Sequence, residues 1–196
     1  MDLGLLAGTG WAAGINVYAV TLILGVAGRL GWAEIPDVLQ RTDVMVVAGI
    51  LFGVEFVADK VPYIDNIWDG IHTVVRPLGA AALGAVLAGE FTDIGSALGA
   101  LITGVLAVSS HSTKATTRAA VNTSPEPVSN IALSVFEDGL VGGVMLLAIE
   151  FLIIAIVVVA LLVIFGIWLT VKLWRAFLRL REKWKAAGKR LGAPPD

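Results

Sequence analysis

Two stretches of this chain set ionisable side chains at helical spacing inside otherwise apolar sequence. Asp65, Asp69, His72 and Arg76 follow one another at intervals of four, three and four residues, and His111, Lys114, Arg118 and Asn122 at three, four and four. Each set falls on one helical face, because positions three and four apart stack along a helix. Ionisable groups within membrane segments are costly unless they are paired, hydrated or functional. Hydroxyls crowd the second stretch at Ser109, Ser110, Ser112, Thr113, Thr116 and Thr117. Together these residues point to a polar cavity. Its substrate-binding candidates are Asn16, His72, Arg76, His111, Lys114, Arg118, Asn122 and Asn130, with Glu55, Asp59, Asp65, Asp69, Glu137 and Asp138 as proton carriers or counter-charges. The basic groups and hydroxyls suit an anionic solute or lipid headgroup carrying phosphate or carboxylate. The plainer alternative is that these side chains sit near the headgroups, pair with one another and mark helix ends; charged faces aligned on two separate segments favour a site.

Other chemistries are less well supported. A metal would draw on Asp65, Asp69, His72 and His111, but neither a second closely spaced histidine nor a repeated motif accompanies them. No metal or cofactor is therefore assigned. Nucleophile-elbow and zinc-protease patterns do not occur, so hydrolysis is a minority reading. Without cysteine, disulfides, thiolate metal sites and cysteine catalysis are excluded. Nothing points to nucleic acid.

The elements that must position these residues are membrane helices. Of the 196 residues, 57% are hydrophobic and only 15% charged, with a mean hydropathy of +0.86, where soluble domains carry about a quarter charged. The expected fold class is an all-α integral membrane protein of about six transmembrane or partly re-entrant helices. Segment one spans about 3–30 with Asn16 in its middle, and Gly4, Gly8, Gly10 and Gly14 give spacings for close helix approach. Residues 31–42, with Pro36, read as a loop, and segment two as 43–58. Pro62 stops that helix, segment three covers about 64–89, a turn follows at Glu90 to Asp93, and segment four covers 94–108. Pro125 and Pro127 break whatever helix continues through 109–122. Ser134 to Glu137 has the form of a capping box, which places a helix start there. Residues 139–171 would make a helix of about 50 Å against a hydrocarbon core of about 30 Å, so a break is expected near Glu150.

Eight of the fourteen lysines and arginines lie between Lys172 and Arg190, in a stripe beside Leu173, Phe177, Leu180 and Trp184. This amphipathic end belongs at an anionic membrane face, and residues 188–196 are expected to lack structure. With that end cytoplasmic, as the positive-inside rule prefers, six crossings place the N-terminus, the 59–65 turn and the Lys114–Arg118 passage on the same side. The organisation is one transmembrane domain over 1–181 with a basic cytoplasmic tail over 182–196. The opening residues have no positive start, so no cleavable signal peptide is expected. Gly8 and Gly104, Glu55-Phe56 and Glu150-Phe151, and Gly70-Ile71 and Gly166-Ile167 match at offsets of 95 or 96. Apolar segments match by chance as well; a true repeat would divide the chain into inverted three-helix halves, 1–90 and 91–181.

The stretches GTGWAAGINVY (8–18), GVEFVADKVPYIDNIWDGIHTVVRP (53–77) and SSHSTKATTRAAVNTSPEPVSNIALSVFEDG (109–139) resemble an uncharacterised, mainly bacterial membrane family, domain of unknown function 4126. The resemblance implies a multi-span membrane protein and carries no activity. The expected function is a small transporter or channel-like protein, proton-coupled through a histidine or carboxylate, in the bacterial inner membrane and homo-oligomeric. A membrane enzyme acting on a lipid phosphate and a structural or assembly protein are the alternatives.

Overall fold

A computed structural model describes residues 2–61, 64–89, 93–123 and 127–191. Pro62, Glu90 to Thr92, Pro125 and 192–196 lie outside the described residues, and so do the expectations that fall on them. Among the described residues every regular element is helical: α1 Leu3–Leu30, α2 Asp37–Gln40, α3 Thr42–Ala58, α4 Ile64–Ala88, α5 Asp93–Val121, α6 Pro127–Glu150 and α7 Leu152–Leu191. Five of these, all but α2 and α3, are long and apolar enough to cross a membrane. Large apolar side chains such as Ile67, Ile71, Leu101, Ile153 and Ile164 point outward, as a lipid surround requires. The chain is an all-helical membrane protein, close to the six helices expected.

The central helix is α1, which packs against all six others. The Asp2 carboxylate caps its start by accepting from Leu5 N at 2.9 Å. Gly31, in the left-handed region at φ 70°, ends it. Its glycines admit neighbours to backbone distance: Gly4 backs onto Leu152, Gly8 onto Ala148, Gly10 onto Thr103, and Gly14 onto Ala107 and Ser110. Those contacts also give directions. Positions 10 and 14 meet 103 and 107, so α1 and α5 run parallel, whereas Gly8 meets Ala148 and Val144, so α6 runs opposite to α1. Gly84 against Gly99, and Arg76 against His111, make α4 antiparallel to α5. From Leu152 beside Gly4, α7 climbs to Gly166 beside Thr113, parallel to α1.

Several boundaries differ from the sequence reading. The 109–122 passage is not a separate or re-entrant segment; it is the last three turns of α5. Ser134 does not cap a helix, because α6 already begins at Pro127, where a missing N–H costs nothing in the first turn. The 31–42 loop contains the short helix α2. The break expected near Glu150 falls at Phe151. Residues 188–191, expected to lack structure, continue α7, whose 40 residues reach about 60 Å.

The largest difference concerns α3. It starts at the C-terminal end of α1, where Arg29 donates to Gln40 O at 2.7 Å and Thr42 Oγ1 at 2.6 Å. It finishes beside the C-terminal end of α5, where Arg118 donates to Asp59 O at 2.6 Å. With 17 residues and both ends toward the same end of the bundle, α3 does not cross it. The start of α1 and the basic end of α7 therefore lie at opposite ends, not on one side as six crossings would give.

Two outcomes follow. Gly14→Leu should destabilise the folded protein by about 3 kcal/mol or more in thermal unfolding, because the new side chain meets the α5 backbone. Gly142→Ala, at a position with open space around it, should change stability by less than about 0.5 kcal/mol. In this cysteine-free chain, single cysteines at Leu3 and Glu182 should react with an impermeant maleimide from opposite sides of sealed vesicles.

Candidate functional site

Four helices and one turn bring the ionisable residues together. Along α4 the intervals put Asp65, Asp69, His72 and Arg76 on its buried face; along α5 they do the same for His111, Lys114 and Arg118. Glu55 comes from α3, Asp59 from the turn after it, and Asn130 and Glu137 from α6, all of them buried. The antiparallel packing of α4 on α5 is what faces the two charged stripes toward each other.

Three basic groups organise the cluster. Arg76 reaches Glu55 Oε1 at 2.8 Å and Asp69 Oδ1 at 2.9 Å. Lys114 holds Asp59 Oδ2 at 2.6 Å and lies 3.7 Å from Glu55 and 3.8 Å from Glu137. Arg118 binds Glu137 Oε2 at 2.5 Å, Asn130 Oδ1 at 2.8 Å and the Asp59 carbonyl, and lies 3.7 Å from Asp65. Arg118 thus ties the turn after α3, the start of α4 and, through Asn130 and Glu137, two separate turns of α6 to α5. Charge-assisted bonds of this kind are the strong ones in a medium of low dielectric.

Hydrogen-bond chemistry fixes His111 as neutral and one nitrogen of His72 as a donor. The Trp68 carbonyl can only accept, so His72 Nδ1 donates to it at 2.8 Å, and Nε2 shares a hydrogen bond with the Tyr18 hydroxyl at 3.1 Å. Arg76 can only donate, so His111 Nδ1 accepts from it at 2.9 Å, and Nε2 donates to Thr73 Oγ1 at 3.1 Å. The Thr73 proton goes on to Asp69 O. All four ring nitrogens are engaged within the protein, which weighs against the His72 and His111 part of the metal reading.

At Asn16, with φ −151° and ψ 95°, α1 breaks in its middle. The Asn16 carboxamide restarts the helix by accepting from Ala19 N at 2.9 Å, as an N-cap does. The Ile15 carbonyl, freed by the break, accepts from Lys114 Nζ at 3.2 Å. Asn16 therefore serves the cluster indirectly, through the break that frees the Ile15 carbonyl. Broken helices with exposed carbonyls beside charged groups are a device of membrane transporters.

Other expected residues have lesser places. Asn122, half-buried, donates to Asp65 Oδ2 at 2.8 Å and to Asn66 Oδ1 at 2.9 Å, closing the cluster toward the bundle end. Asp138 is half-buried at the margin, and Glu150 is exposed at the end of α6, where the bundle's other end lies. The hydroxyls of Ser110, Ser112, Thr113 and Thr116 bond to carbonyls of their own helix, leaving little for a ligand. Tyr18, Thr73, the Ile15 carbonyl and the bond from Lys60 to Ser134 Oγ at 3.2 Å were not anticipated. Of these only Tyr18, two residues past Asn16, carried a signal in the sequence.

The bonding is incomplete on both sides: the donors Arg76 Nε, Asn130 Nδ2 and Trp68 Nε1 are buried without a partner, and so are several carboxylate oxygens. Glu55 Oε2, Asp59 Oδ1, Asp65 Oδ1 and Asp69 Oδ2 are buried acceptors without a hydrogen-bond partner, while the other oxygen of each carboxylate is engaged or close to a base. Five buried acids, Glu55, Asp59, Asp65, Asp69 and Glu137, face three buried bases, Arg76, Lys114 and Arg118; five against three leaves two negative charges when all are ionised.

Fold and cluster together define a helical membrane protein with a charged polar interior. The chain belongs to the family described as a domain of unknown function, DUF4126, which matches residues 3–172. That span takes in all five crossing helices, α7 in part, and every residue of the cluster. No curated protein and no solved structure matches the chain.

The network makes a double-substitution test. Glu137→Gln alone should lower stability by about 3–5 kcal/mol, because Arg118 loses its closest charged partner in a buried setting. Combining it with Arg118→Met should cost less than the sum of the two single changes in thermal unfolding, by at least about 1 kcal/mol.

Proposed function

We propose that the protein is a small membrane transporter whose solute- and proton-handling site is the charged cluster between α1, α3, α4, α5 and α6. The observation that carries this reading is the break of α1 at Asn16, in the middle of the bundle, with its freed carbonyl on Lys114. A straight helix would be cheaper in lipid; a break that lines a polar interior is the arrangement by which transporters place a site between two helix halves. Buried ionisable residues of both signs inside crossing helices support the same reading.

The balance of charge favours protons or cations over the anionic solute suggested by the basic residues. Arg76, Lys114 and Arg118 are each held by carboxylates, so an anion would have to displace Glu55, Asp59 or Glu137. Four carboxylate oxygens of the cluster remain open, against one open guanidinium donor, Arg76 Nε. In this proposal Glu55, Asp65 and Asp69 exchange the coupled proton or cation, and the bases set their spacing. The bacterial inner membrane is the proposed location. The basic end of α7 supports a cytoplasmic placement for that end, because anionic lipid and the positive-inside preference both draw it there.

Proteoliposomes containing a pH-sensitive dye test the reading. With a potassium diffusion potential applied, wild-type vesicles should acidify or take up one of a panel of cations and anions at least tenfold faster than empty ones. Glu55→Gln and Asp65→Asn should remove most of that flux. Wild-type flux equal to that of empty vesicles across the panel would overturn transport.

A further inference from the structure

Three of the carboxylates with an open oxygen stand close together. One carboxylate oxygen from each of Asp59, Asp65 and Asp69 lies within 4.8 Å of the others. The three side chains come from different places, the turn after α3 and two successive turns of α4, and are 4%, 0% and 6% exposed. In each, one oxygen is tied to the protein: Asp59 Oδ2 to Lys114, Asp65 Oδ2 to Asn122 and Asp69 Oδ1 to Arg76. The opposite oxygens, Asp59 Oδ1, Asp65 Oδ1 and Asp69 Oδ2, are the partnerless ones. A carboxylate anchored through one oxygen and open at the other is how a ligating carboxylate is held by its supporting groups.

We propose that Asp59, Asp65 and Asp69 bind one hard divalent cation, of the magnesium, manganese or calcium class, through these open oxygens. Donor chemistry sets the class. All three ligands are anionic oxygens, the chain has no cysteine, and both neighbouring histidines have their nitrogens engaged, which leaves no soft or nitrogen donor for zinc or copper. Size agrees: ligands at about 2.1 Å for magnesium or about 2.4 Å for calcium stand about 3–5 Å apart around the ion. Charge agrees as well, since a divalent ion cancels the two negative charges by which the buried acids exceed the bases. Entry lies past Asn66, which is exposed, and Asn122, which is half-buried, both a single side chain above Asp65. The ion's remaining positions are left to water, as magnesium and manganese prefer.

This inference concerns equilibrium binding and stands whether or not the protein transports anything. The full-length protein in detergent, stripped with EDTA and desalted, is titrated with Mn²⁺, and free Mn²⁺ is counted from its six-line paramagnetic resonance signal. One saturable ion per chain is expected, displaced by millimolar Mg²⁺ or Ca²⁺. Asp65→Asn and Asp69→Asn should each weaken binding at least tenfold, and Glu150→Gln should leave it unchanged. A second measurement spares the ligands: Trp68 is three residues from Asp65 and next to Asp69, within energy-transfer range of Tb³⁺ bound here, so ultraviolet-sensitised Tb³⁺ emission should be strong in the wild type and largely lost in Trp68→Phe with affinity retained. The proposal is overturned if wild-type protein fails to bind Mn²⁺ stoichiometrically, if folded Asp65→Asn binds as the wild type does, or if Trp68→Phe leaves the Tb³⁺ emission intact.

Discussion

A charge inside a lipid-bound bundle has to be matched where it stands, and that requirement shapes this molecule more than any apolar contact. Arg118 shows how. Its guanidinium is fully buried, so its donors must all find acceptors, and the acceptors come from the turn after α3 and from α6. Arg76 likewise joins α4 to Glu55 of α3 and His111 of α5. Helices that would otherwise slide against one another in a medium without a hydrophobic driving force are fixed in register by such pairs. Net stability is not what the pairs supply, since burying ions offsets most of the gain; the penalty for a wrong arrangement is what they supply.

The second constraint is backbone proximity at α1. Glycines on several of its faces let α5, α6 and α7 approach to van der Waals distance of the main chain, on either side of the break at Asn16. Packing and polarity therefore meet at one place. The same close approach that seats α5 against Gly14 brings Lys114 within reach of the Ile15 carbonyl. An apolar contact thereby positions a charged one.

Much of this was readable from spacing. The bounds of α1 and α4 and the burial of the Asp65–Arg76 and His111–Arg118 faces follow from periodicity, and the interruption at Phe151 follows from comparing helix length with membrane thickness. What was not readable depends on three-dimensional pairing. Ser134 and Glu137 fit a local capping pattern, yet each finds a partner more than fifteen residues away, Lys60 and Arg118 respectively. Local motifs lose to a buried cation in need of an acceptor. That α3 stays at one end of the bundle depends on where its two ends are tied, at Arg29 and Arg118; its own sequence shows only that it is short for a span. Nor does any letter mark a carbonyl released by a kink.

The chain order of the cluster has a consequence for biosynthesis. Through the end of α4 the nascent protein has delivered four of the five buried acids, Glu55, Asp59, Asp65 and Asp69, but only one of the three bases, Arg76. The missing cations, Lys114 and Arg118, arrive with α5. Until then α4 is a poor candidate for release into lipid by itself, since its carboxylates outnumber the bases that could neutralise them. The α4–α5 hairpin, rather than α4 alone, is therefore the unit in which the carboxylates of α4 enter lipid with bases to match them.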